Sequence, residues 1–180
     1  VPRSAHAVPP RNFFEVKQEG MKQVLLHRAD RASLVAMAFH APPAHNSDSL
    51  AMEVIAKLIS NGELGRAKAL REQGSFFDVG MMTQRMRDTY PVLLVGQMRT
   101  PQQNQGAQMM FGLLNRFKQE AVPLAELAAA KKAVLRAYDT SDLGPMGMMN
   151  AVNDALQRRW DAFDLFDRIK VVEALTPLDV

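Results

Sequence analysis

Strand-like and helix-like stretches follow one another along this chain in an order that few folds can accommodate. Lys22–His27 and Ala32–His40 are candidate strands separated by the charged turn Arg28–Arg31, a pattern that predicts a hairpin. From Asp48 to Ser60, Leu50, Ala51, Val54, Ile55, Leu58 and Ile59 recur at helical spacing. Ser47 or Asp48 is placed to accept the free N–H groups of the first turn, and Asn61-Gly62 supplies the left-handed residue that ends the helix. A short helix over Glu63–Glu72 precedes a second strand pair, Phe76–Thr83 and Pro91–Met98, joined by the polar run Gln84–Thr89. Thr100-Pro101 reads as a helix start, because proline in the first turn loses no hydrogen bond. That helix carries Met110, Phe111, Leu114 and Phe117, with Phe111 and Leu114 expected in the core. The next begins at Pro123 and aligns Leu124, Leu127, Ala130, Val134 and Tyr138. Ser141–Pro145 breaks the pattern, which resumes over Met146–Trp160 and Ala162–Val172. Two hairpins each followed by helices exclude a doubly wound parallel sheet, which needs a helix after every strand. The pattern predicts an α+β fold: an antiparallel sheet built from β-hairpins with helices packed on one face.

Several function classes are disfavoured by composition. The 180 residues carry a formal charge of +3, yet basic and acidic side chains are interspersed and no aromatic-interleaved basic stripe appears, so no nucleic-acid partner is expected. Apolar runs such as Val92–Val95 are too short to cross a bilayer, and no membrane association is expected. Cysteine is absent, which removes disulfides, thiolate metal sites and a cysteine nucleophile. There is no G-x-S-x-G elbow, P-loop or G-x-G-x-x-G element.

Residues 1–13 are rich in proline, lack periodicity and read as a linker or an expression remnant, with no secretory signal expected. Residues 14–180 read as one domain. Thr176-Pro-Leu-Asp-Val180 is a helix-start pattern, which leads us to expect a domain truncated at its C-terminus.

Five short motifs occur in order: Gly62, then Leu70-Arg-Glu72, then Gly74 with Phe77, Glu126-Leu with Lys131, and Thr176-Pro-Leu-Asp-Val180. In this order the chain, from Phe14 to Val180, resembles the non-catalytic, C-terminal-type domain of pitrilysin/insulinase zinc metallopeptidases, the inverzincins. The E-L-x-x-A-K element is present as Glu126–Lys131, and one departure stands out: the zinc-binding signature H-x-x-E-H is absent. The resemblance implies a half-domain of ferredoxin-like repeats and no cofactor in this chain, with zinc held by a catalytic partner domain or subunit. It implies an unfolded peptide as substrate and a zinc metalloendopeptidase as the parent protein or complex. The compartment stays unknown; the resemblance to exported bacterial relatives suggests the periplasm, with the cytoplasm open.

By the same resemblance, Arg71 matches an arginine that faces substrate across from the zinc. The tyrosine that accompanies it falls on Phe77, with one residue fewer between the two, so the hydroxyl that would stabilise a developing oxyanion is missing. The plainer alternative is that Arg71 pairs with a carboxylate on the helix surface and Phe77 fills the core. His40 and His45 flank Pro42-Pro43, which forbid a helix that would align them, and no third ligand follows at a recognisable spacing; no metal site is expected here. Besides a substrate-binding, chamber-forming domain, two readings stay open: a purely structural relative like respiratory core subunits, or an unrelated basic α+β binding module.

Overall fold

The computed structural model describes residues 19–26, 31–60, 62–86, 88–138, 144–157 and 164–180. Its sheet consists of β1 (Ala32–Ala41), β2 (Phe76–Met82) and β3 (Tyr90–Arg99), in the order β1-β3-β2 and antiparallel throughout. Six helices accompany it among the described residues: α1 (Asp48–Ser60), α2 (Ala67–Glu72), α3 (Gln103–Gln119), α4 (Leu124–Tyr138), α5 (Pro145–Gln157) and α6 (Asp164–Ala174). The antiparallel α+β architecture is the one the sequence pattern predicts.

The strand expected over Lys22–His27 is a correction. Residues 22–26 are not in a strand, with Val24, Leu25 and Leu26 exposed, and His27 lies outside the described residues. Three consecutive apolar residues do not alternate, so neither face of such a segment commits to the core and no register is specified. The described sheet therefore has three strands, with one hairpin formed by β2 and β3. The leader at 1–13 and the break at 141–143 also lie outside the described residues.

β3 shows why one face is covered. Tyr90, Val92, Leu94 and Met98 are buried, alternating with exposed or half-buried neighbours. They form one core with Phe76, Val79 and Met81 of β2, Ala56 and Ile59 of α1, and Met110 and Leu113 of α3. Val35 and Met37 of β1 pack against the same cluster. Gly96 sets how close α3 comes: a Cβ there would lie 2.7 Å from Phe76 Cε1 and 2.8 Å from Met110 Sδ.

α1 is buried on two sides. Its other stripe, Leu50, Val54 and Leu58, joins Leu127, Ala130 and Val134 of α4 and Val172 of α6 in a second core. The layers run from sheet to α1 with α3, then to α4 with α6. Along α3 the buried stripe is Gly106, Met110 and Leu113 rather than the face containing Phe111, which is 45% exposed. Phe111 sits one residue, about 100° of helix rotation, from Met110, and the sheet reaches only one of them. Leu124, expected on the apolar face of α4, is likewise exposed, at the first turn of its helix.

Helix ends follow local chemistry. Asn46, not Ser47 or Asp48, supplies the first side-chain cap of α1: the Asp48 N–H donates to Asn46 Oδ1 at 2.9 Å. Gly62 closes the same helix at φ 51°, as its sequence position predicts. Ser60 then protects the edge of the sheet. Its Oγ accepts the Met81 N–H at 2.6 Å and donates to Met81 O at 3.4 Å, meeting backbone groups that β2 would otherwise leave open. At the C-terminus Thr176 N–H and Oγ1 both donate to Asp179 Oδ2, at 2.6 and 2.7 Å, while Val180 packs on the second core. Those bonds hold the Asp179 carboxyl below its ordinary range.

Candidate functional site

The corner where α2 turns into β2 brings the two sequence-predicted site residues together. Gly74, at φ 74°, allows the tight exit from α2, and Arg71 occupies the helix's last turn, where a cation complements the free carbonyls. Arg71 Nη2 donates to Gly62 O at 2.7 Å, and Nη1 lies 4.0 Å from the exposed Asp78 carboxylate. Its guanidinium is thus tied to the preceding turn while facing the start of β2.

Phe77 does not fill the core. Phe76 pairs with Met98 and Asp78 with Gln97, so Phe77 is the extra residue of a β-bulge. The bulge sends Phe76 inward and leaves Phe77 55% exposed, where the Arg99 guanidinium stacks over its ring at 5.9 Å. Arg99 was not singled out in the sequence. The alternation along β3 points it outward next to buried Met98, but the bulge that carries Phe77 to it has no clear sequence signal.

These residues sit at one end of a sheet face that no element among the described residues covers. Its rows, read across β1, β3 and β2, are Leu34–Gln97–Asp78, Ala36–Val95–Gly80 and Ala38–Leu93–Met82. Leu34 and Met82 are largely exposed, and both cores lie on the opposite side. A hydrophobic strip with polar and charged groups at one corner is a surface suited to an extended chain.

Two other polar arrangements are architectural. Arg66 and Glu126, the latter within a singled-out motif, form an ion pair of 2.9 Å between the start of α2 and α4, with Arg66 lying 4.5 Å from the centroid of Phe117. Beneath a cleft of about 460 Å³, buried Arg85 donates to Glu53 Oε1 at 3.0 Å, Tyr138 Oη at 3.2 Å and Ala44 O at 2.8 Å. The Tyr138 hydroxyl donates in turn to Glu53 Oε2, and Arg168 lies over the Tyr138 ring at 5.7 Å. Burial, reinforced by the Glu53 carboxylate, pushes the Tyr138 hydroxyl pKa well above its ordinary value. Sequence alone does not reveal this network, because its members come from five separate segments.

Metal chemistry has no foothold among the described residues. No group of three His, Asp or Glu side chains lies close enough to hold an ion, and His40 and His45 are both exposed, at the end of β1 and in the following turn. No helix among the described residues is long and apolar enough to cross a membrane.

Comparison with known proteins places this geometry. The fold matches the inactive peptidase domain of a proposed zinc protease from Bordetella parapertussis (TM-score 0.73, 21% identity, 87% of this chain and 86% of that one). It also matches a protease from Helicobacter pylori (TM-score 0.72, 16% identity, 83% of this chain and 37% of that one). A third match is a peptidase M16 inactive domain from Pseudomonas fluorescens (TM-score 0.71, 14% identity, 82% of this chain and 36% of that one). The chain thus spans well under half of two of these relatives and most of the other. No curated protein matches it in sequence. The family model for the peptidase M16 inactive domain matches residues 1–134, and the chain belongs to that family of non-catalytic zinc-protease domains.

Proposed function

We propose that this chain forms the substrate-binding wall of a zinc-dependent peptidase chamber, closing over an unfolded peptide opposite a partner domain that carries H-x-x-E-H. The observation that carries this reading is the apolar sheet face left open by the described residues, with Arg71 and Phe77 at its corner. An extended peptide laid across Ala36, Leu93 and Val95 would bury apolar side chains against the strip, and Arg71 would meet its backbone carbonyls or carboxylates. Phe77 offers a ring face and no hydroxyl, so this wall holds substrate in place and leaves charge stabilisation to other groups. Zinc, bound by the partner, would polarise the scissile carbonyl and activate water. The same loss of the hydroxyl favours, as a second reading, a structural subunit without proteolytic role.

Reconstitution separates the two. The H-x-x-E-H half encoded with this chain should cleave an unfolded peptide only when this chain is present, and Arg71→Ala should lower kcat/KM by about ten-fold, on the scale of a charge-assisted hydrogen bond. Cleavage by the catalytic half alone at the same rate would remove the chamber role. A stable but inactive complex would favour the structural reading.

A further inference from the structure

We infer that Arg99 makes the Phe77 corner selective for a carboxylate on the bound peptide; this rests on the proposed peptide-binding role of the outer sheet face. Three observations converge on it. Arg99 lies on the same outward row parity as Gln97, next to the bulge, and its guanidinium is held over the Phe77 ring at 5.9 Å. A guanidinium held beside a ring face by its charge still has N–H donors to offer, and an arginine fork receives a carboxylate through two parallel bonds. Among the described residues Arg99 is joined to no carboxylate; its contact is the ring.

The second cation at the corner is Arg71, anchored through Nη2 to Gly62 O. Its one acidic neighbour, Asp78, is 4.0 Å away on a side chain 78% exposed, too loose and too wet to neutralise two guanidiniums. The corner is therefore net cationic beside a hydrophobic strip. A peptide running along that strip would meet apolar ground over Ala36, Val95 and Leu93, then positive charge at Phe77. The matching ligand is an extended peptide whose apolar stretch is followed by a carboxylate. Either an acidic side chain or a free C-terminus would provide that group. Arg99 contributes selectivity for the peptide, and no step of bond cleavage is assigned to it.

The test uses three ten-residue unstructured peptides with one apolar core sequence: a neutral one with an amidated C-terminus, the same with a terminal-proximal Glu, and the neutral one with a free C-terminus. Binding to the 180-residue chain is followed by backbone NMR shifts, which register millimolar affinities. At least one carboxylate peptide should bind about three- to ten-fold more tightly than the neutral amide, and the pair of arms identifies the source of the group. Arg99→Gln should reduce that preference to within about two-fold, and Arg99→Lys should restore part of it. Equal affinities for all three peptides, or a preference that survives Arg99→Gln, would overturn the inference and leave the peptide-binding reading intact. Failure of every peptide, the neutral one included, to shift the outer-face resonances would remove that reading and the inference with it.

Discussion

Arg85→Met is expected to cost the folded state about 3–5 kcal/mol, the range for removing one partner of a buried ion pair. The Arg85 side chain is 2% exposed and ties together four separate places: Glu53 on α1, Tyr138 at the end of α4, the Ala44 carbonyl, and its own segment after β2. Its loss would strand the Glu53 carboxylate with only the Tyr138 hydroxyl for company. The double variant Arg85→Met with Glu53→Leu should be more stable than Arg85→Met alone, since the stranded charge is then removed as well. Urea titrations of the three proteins measure this directly. The network also has an alkaline signature. The Tyr138 pKa is raised in the folded state, so its contribution is fully present below the ordinary tyrosine value of about 10 and is lost as pH rises toward the folded value. Tyr138→Phe should remove that part of the stability loss above pH ~10. If Arg85→Met unfolds at the same urea concentration as the parent chain, the buried network holds nothing together.

Ile59→Ala is the second large effect, about 2–5 kcal/mol. Ile59 is fully buried at the C-terminal end of α1, in the core that joins this helix to the sheet and to Ala67 and Leu70 of α2. A cavity there would loosen both α1 and the turn that positions Arg71, so a drop in melting temperature should be accompanied by faster amide exchange at residues 70–79. Phe111→Ala removes a larger side chain from a half-solvated position on α3 and should cost well under half as much. Similar costs for the two variants would contradict the assigned face of α3.

These contrasts mark where the sequence was legible. α1 runs from Asp48 to Ser60, as its apolar periodicity predicts, because a 13-residue helix buried on two sides repeats its signal many times. β2 and β3 fall within one residue of their predicted bounds, since both alternate and a polar turn separates them. The run around Val24–Leu26 looked like a strand because it is apolar, but a strand also needs alternation and a partner edge. On α3, helical spacing alone does not say which of two adjacent apolar residues, Met110 or Phe111, meets the sheet.

The candidate site was half legible. The order of short motifs picked out Arg71 and Phe77, and the structure places both at one corner. The bulge that exposes Phe77 depends on the register of β2 against β3, a pairing between residues some twenty positions apart that no local pattern encodes. Arg99 and the Arg85–Glu53–Tyr138 network are products of the same long-range pairing.

The central claim is that the outer sheet face is a peptide-contact surface. Its most direct test is an amide-shift map of the whole chain titrated with an unfolded, apolar peptide. The account predicts perturbations concentrated at Leu34, Ala36, Phe77, Leu93, Val95 and Arg99, with α4 and α6 silent. Shifts confined to the α4 and α6 side, with that sheet face unchanged at saturation, would contradict it.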